Sequence, residues 1–118
     1  MRSVAALGVL LLTACATGVA QRGNVARVHG HIEDGDWAGA LVLAEHVIAS
    51  GPIDPQAQLD AYFAKAVILE HYGRKREAAG LYEYLAHVAG DSPGGAQAKG
   101  RLAELGGPVC GPAKEVSR

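Results

Sequence analysis

Between Arg22 and Leu105 the apolar residues recur every three or four positions rather than every second one. That spacing is the signature of amphipathic helices. Val25, Val28 and Ile32 define the apolar side of a first helix, and Trp37, Leu41, Ala44 and Ile48 that of a second. A third carries Leu59, Tyr62, Phe63, Ala66 and Leu69, and a fourth Ala78, Leu81, Tyr82, Leu85 and Val88. Ala98, Leu102 and Leu105 mark a shorter fifth. The punctuation agrees with this division. Gly35 and Gly73 stand where helices should end, because glycine adopts the left-handed conformation without a Cβ penalty. Asp54-Pro55 and Ser92-Pro93 each offer a side-chain acceptor at an N-cap followed by proline at the first helical position. Asp36 is placed to cap the second helix.

These markers recur at a fixed offset. Gly35 and Gly73, Ala40 and Ala78, Leu43 and Leu81, Asp54 and Ser92, and Pro55 and Pro93 are each 38 residues apart. Turn, packing and cap positions sharing one offset indicate a helix-turn-helix unit used twice. The stretch from Ala61 to Tyr82 resembles a tetratricopeptide repeat. Tyr62 matches the aromatic near the start of the first helix, and Ala66 the small residue where two helices cross. Gly73 matches the turn, and Glu77-Ala78 and Tyr82 match the packing positions of the second helix. The earlier unit keeps Gly35-Asp36-Trp37, Ala40 and Pro52, but has Val28 where a small residue is usual. The offset exceeds the usual spacing of about 34, which places the extra residues in the Ser50–Asp54 loop.

The resemblance implies an all-α fold: a right-handed α-solenoid of about two tetratricopeptide-like repeats, closed by a capping helix over about Pro93–Leu105. Gly94, Gly95 and Gly100 should make that helix the least stable, since each costs about 1 kcal/mol against alanine inside a helix. In proteins of this kind the first helix of each pair lines a concave surface that holds an extended peptide or a partner's helix. Carried onto this chain, the candidates are Ala26, His29 and Glu33 from the first unit, and Asp60, Ala64, Val67 and His71 from the second. Their mixed acidic and apolar character suits a peptide with some positive charge.

The N-terminus follows a different pattern. Arg2 precedes an apolar run from Val4 to Leu12. At 1.5 Å per residue that run is too short for a hydrocarbon core of about 30 Å, but it has the length of a signal-peptide core. Leu12-Thr13-Ala14-Cys15 then resembles the lipobox of bacterial lipoproteins. The resemblance implies removal of residues 1–14 and a diacylglycerol on the Cys15 thiol. Ala16, rather than Asp, follows the cysteine, which in that family directs the protein to the outer membrane, facing the periplasm. The alternative is an ordinary secretory peptide cut after Gly18-Val19-Ala20, giving a soluble periplasmic or secreted protein. On the lipoprotein reading the chain divides into a signal peptide (1–14), a lipid-anchored tether (15–21), a helical domain (22–105) and a Gly/Pro-rich tail (106–118).

Cleavage after Ala14 leaves 104 residues, enough for one small domain, with 10 basic against 12 acidic side chains. Nucleic-acid binding needs a basic face that this balance does not supply. A lipidated Cys15 leaves Cys110 without a disulfide partner in the chain.

Catalytic groups are not assembled in the sequence, and no enzyme or cofactor is expected. The densest set of possible metal ligands is His29, His31, Glu33, Asp34 and Asp36. His29 and Glu33 can share one helical side at four residues' spacing, but a closed site needs three or four convergent ligands, and no metal site is assigned. His46, His71 and His87 are isolated. Arg74-Lys75-Arg76 is a basic triplet at a helix start, read as a solvated surface; the alternative is contact with anionic lipid headgroups or an acidic partner. The functional expectation is a membrane-anchored interaction module of the cell envelope with a protein or peptide partner. Two other readings stand beside it: an assembly subunit docking through its C-terminal helix, and a weak metal-binding protein.

Overall fold

The computed structural model describes residues 2–107, with side chains from Gly18 onward. The described residues are all helical in their regular structure, without strands. Five helices follow in order: α1 (Arg2–Glu33), α2 (Trp37–Ala49), α3 (Pro55–His71), α4 (Lys75–Ala89) and α5 (Pro93–Glu104). The chain forms two compact units, Met1–Ala64 and Lys65–Arg118, so that α3 begins in the first and ends in the second. Cys110 lies outside the described residues, and so does the side chain of Cys15.

Helix α1 starts well before Arg22. Residues 15–21, read from sequence as a tether, are helical, and Gln21 within them is buried. The periodicity of the fourth stripe breaks at one place: Val88 is exposed. At 3.6 residues per turn it lies roughly 80° round α4 from Ala78, beyond the strip that Ala78, Tyr82 and Leu85 bury.

Helices α1 and α2 are joined by a turn at Gly35, and α3 and α4 by one at Gly73. The two turns share a hydrogen-bond pattern. Gly35 N–H donates to Ile32 C=O (3.0 Å) and Asp36 N–H to His31 C=O (2.8 Å). Gly73 N–H donates to Glu70 C=O (2.9 Å) and Arg74 N–H to Leu69 C=O (2.9 Å). Both glycines sit at positive φ, 78° and 76°, where a side chain would be strained. These bonds occupy carbonyls that a helix end leaves without intrahelical donors.

The helix starts are capped as their sequences indicate. Asp36 Oδ1 accepts from Gly39 N–H (3.0 Å), Asp54 Oδ1 from the N–H of Gln56 (3.2 Å) and Ala57 (3.3 Å), and Ser92 Oγ from Gly95 N–H (3.1 Å). Helix α4 lacks a side-chain cap; Arg74 at that position instead grips Glu77. That guanidinium holds the Glu77 carboxyl below the usual carboxylate range.

In the first unit Val25, Val47, Ala57 and Ala61 form a buried cluster with Ile48 against it. Val28, Ala40 and Ala44 are also fully buried. In the second unit the buried residues include Ile68, Leu69, Ala78, Tyr82, Leu85, Ala98 and Leu102. Small side chains dominate the first set, which favours close helix approach, whereas the second is filled mainly by the larger Ile68, Leu69, Tyr82, Leu85 and Leu102.

Candidate protein-binding surface

The first unit has a depression of about 320 Å³ lined by Arg22, Val25, Ala26, His29, Ala57 and Asp60. Its floor is apolar, from Val25 on α1 and Ala57 on α3. Its rim is polar. Gln56 Nε2 donates to Asp60 Oδ1 (2.9 Å), which orients that carboxylate, and Arg22 pairs with Asp54 (3.1 Å). Three of the seven residues that sequence singles out, Ala26, His29 and Asp60, therefore lie together. Glu33 is exposed one turn beyond His29 and does not line the depression, while Ala64 is buried. Val67 and His71 belong to the second unit. Val67 is half-buried, and His71 is exposed with its ring edge-on to Tyr72 at 5.4 Å.

A second depression, about 510 Å³, is lined by Arg27, His31, Ala38, Gly39, Val42, Leu43 and His46. His31 Nδ1 lies 2.9 Å from Asp36 Oδ2. Sequence reasoning passed over this surface, although Arg27 and His31, and Val42 and His46, stand at the four-residue spacing that puts side chains side by side.

Sequence reasoning also missed two polar devices. Gln21 bridges α1 to the loop before α3: its Nε2 donates to Gly51 C=O (2.9 Å) and its Oε1 accepts from Asp54 N–H (2.8 Å). In the second unit the Tyr82 hydroxyl donates to Glu70 Oε2 (2.5 Å), and Arg101 engages both oxygens of Glu70 while also pairing with Glu104. Burial, reinforced by the Glu70 carboxylate, raises the Tyr82 phenol well above its ordinary pKa. It stays protonated at neutral pH and donates to Glu70. Glu70 in turn raises the Arg101 guanidinium.

Among the described residues no three His, Cys, Asp or Glu side chains are grouped as metal ligands, and no helix is long and apolar enough to cross a membrane. Both depressions combine apolar lining residues with charged or polar ones. The fold and these surfaces define an all-α helical protein. The chain matches no protein-family model, no curated protein and no solved structure.

Proposed function

We propose that this chain is a lipid-anchored protein-binding module of the bacterial cell envelope. On this reading residues 1–14 export it, Cys15 carries the lipid, and the depression on the first unit takes an extended peptide or a partner's helix. The observation that carries the reading is the convergence of Ala26, His29 and Asp60 around an apolar floor. Asp60 offers a fixed carboxylate to a cationic side chain, and Val25 and Ala57 offer apolar contact. The matched turns at Gly35 and Gly73 support the tetratricopeptide-like solenoid, whose concave side would be built from α1 and α3. Val67 and His71 are further candidate contacts on the second unit. The test is in-cell cross-linking with His29→Ala and Asp60→Ala. Capture of the partner should fall about tenfold or more, because a hydrogen-bonded charge contributes roughly 1.5–3 kcal/mol. Undiminished capture by the double variant would rule the depression out.

A second reading, an assembly subunit docking through α5, is favoured by one observation. Ala96, Gly100 and Ala103 are exposed along one side of that helix, and small residues allow close helix approach. Gly100→Gln should abolish docking on that reading while leaving the first.

A further inference from the structure

We infer that the end of the first unit carrying Val19, Pro52 and Ile53 docks on the lipid bilayer, as a second membrane contact beside the acylated Cys15. The inference rests on the lipid-anchor reading above and adds a protein surface to it. Val19 and Ile53 are large apolar side chains with 61% and 44% of their surface exposed, and Pro52 between Gly51 and Ile53 is exposed as well. The protein core does not use these surfaces.

The loop that carries Pro52 and Ile53 is held to α1. Gln21 takes Gly51 C=O and Asp54 N–H, one residue on each side of the pair, and Arg22 takes the Asp54 carboxylate. The loop is thus fixed at the level of Gln21, six residues along α1 from Cys15, or about 9 Å of helix. Val19 is one turn from Cys15. A lipid on Cys15 sets the thiol at the headgroup layer, and apolar groups of interfacial elements bury about 5–10 Å into that boundary. Val19 and the level of the loop are about 6 Å and 9 Å along α1 from the anchored residue, the same scale as that depth.

Charge is consistent with the same occupant. The stretch from Ala16 to Arg22 has no acidic residue, and its one charge is the Arg22 cation. Asp54, the acidic group in the loop, is already engaged by Arg22. Val42, also exposed, sits mid-way along α2 and lacks this tie to the anchor.

The test uses the full chain, processed in cells, carrying Cys110→Ala and a single cysteine at Ile53→Cys, Val19→Cys or Val42→Cys. Each is labelled with a nitrobenzoxadiazole dye and reconstituted into phosphatidylethanolamine–phosphatidylglycerol vesicles. Dye at positions 53 and 19 should shift to the blue and be quenched several-fold more by doxyl lipids than dye at 42. Intact mass of the same samples reads the lipid on Cys15. A lipidated protein whose dye at 53 behaves like that at 42 overturns the docking and leaves the anchor standing. A blue shift at 53 that is present without vesicles and unaffected by doxyl lipids assigns the surface to protein and overturns it equally. An unlipidated N-terminus overturns both readings.

Discussion

The two units use a similar helical turn but close it with opposite chemistry. In the second, Glu70, Tyr82 and Arg101 form a polar knot that brings together α3, α4 and α5. Counting back 38 residues, the first unit has Ile32, Ala44 and Phe63 at those positions. The surrounding framework is the same in kind: Ala40 and Ala78, Ala44 and Tyr82, and Val47 and Leu85 are buried at the same offset. An apolar set tolerates inexact contact, because dispersion and burial are non-directional. A polar set inside a protein must be complete, since each unmet donor or acceptor is a penalty rather than a missing gain. The second unit should therefore respond more sharply to single polar substitutions than the first.

The largest expected effect is Glu70→Ala. It removes the carboxylate that both the Tyr82 hydroxyl and Arg101 engage, for a loss of about 2–3 kcal/mol. Thermal or urea unfolding measures it. Tyr82→Phe keeps the ring and loses about 1 kcal/mol. The pair also separates by pH. The Tyr82 phenol is raised in the folded state above its ordinary 10.0, so the unfolded chain releases that proton first. Stability from this group is full below about pH 10 and falls as pH rises beyond it. Tyr82→Phe should flatten that alkaline loss. An unchanged alkaline slope would show that the phenol is not held as described.

Next in size is Gly95→Ala. A methyl group at this position would collide with Gly90 C=O and come within 3.0 Å of the Ala89 carbonyl carbon. Both are backbone and cannot turn aside. Overpacking of this kind costs about 1–3 kcal/mol, the reverse of the usual gain on replacing a helical glycine. The expected readout is a lower Tm and faster amide exchange in α5. Composition made Gly94, Gly95 and Gly100 look equivalent, as three weak points of one helix. The structure separates them: Gly95 lets α5 start against the end of α4, while Gly100 has open space around it.

That contrast shows what the sequence carries. Helix starts and stops were legible because their causes are local: Asp36, Asp54 and Ser92 cap residues three positions on, and Gly35 and Gly73 turn the chain where they stand. The knot was not legible, because its members are 12 and 31 residues from Glu70. Singly, Glu70 and Arg101 carry no periodic or motif signal, and Tyr82 reads as apolar packing. Gln21 escaped for the same reason, since one amide in a short segment has no period. Three residues of the candidate surface came together because α1 and α3 each present a regular side; Glu33 and Ala64 fell away where that side runs into solvent or core.

Gln21→Ala tests the first unit in the terms of its neighbour. It removes both bonds to the 51–54 loop, leaving Gly51 C=O and Asp54 N–H without that partner. The loss should be about 1–2 kcal/mol, smaller than for Glu70→Ala because these backbone groups lie where water can reach them. Amide exchange at Asp54 should rise before global stability falls. A loss equal to that of Glu70→Ala would mean that the first unit also depends on a polar set, and the contrast between the units would fail.

The smallest effect is a gain. Gly80 lies mid-helix in α4, is exposed, and has nothing near the position a Cβ would take. Its conformation is helical, so no positive φ requires glycine there. Gly80→Ala should stabilise the protein by up to about 1 kcal/mol, through helix propensity and lost freedom in the unfolded chain. Gly95→Ala in the adjoining helix should move Tm the opposite way. The two substitutions are chemically identical and differ only in what surrounds the added methyl group, so opposite signs would tie the second unit's stability to the close approach at Gly90 rather than to helix propensity. A gain at both positions would place α5 farther from the end of α4 than the structure has it.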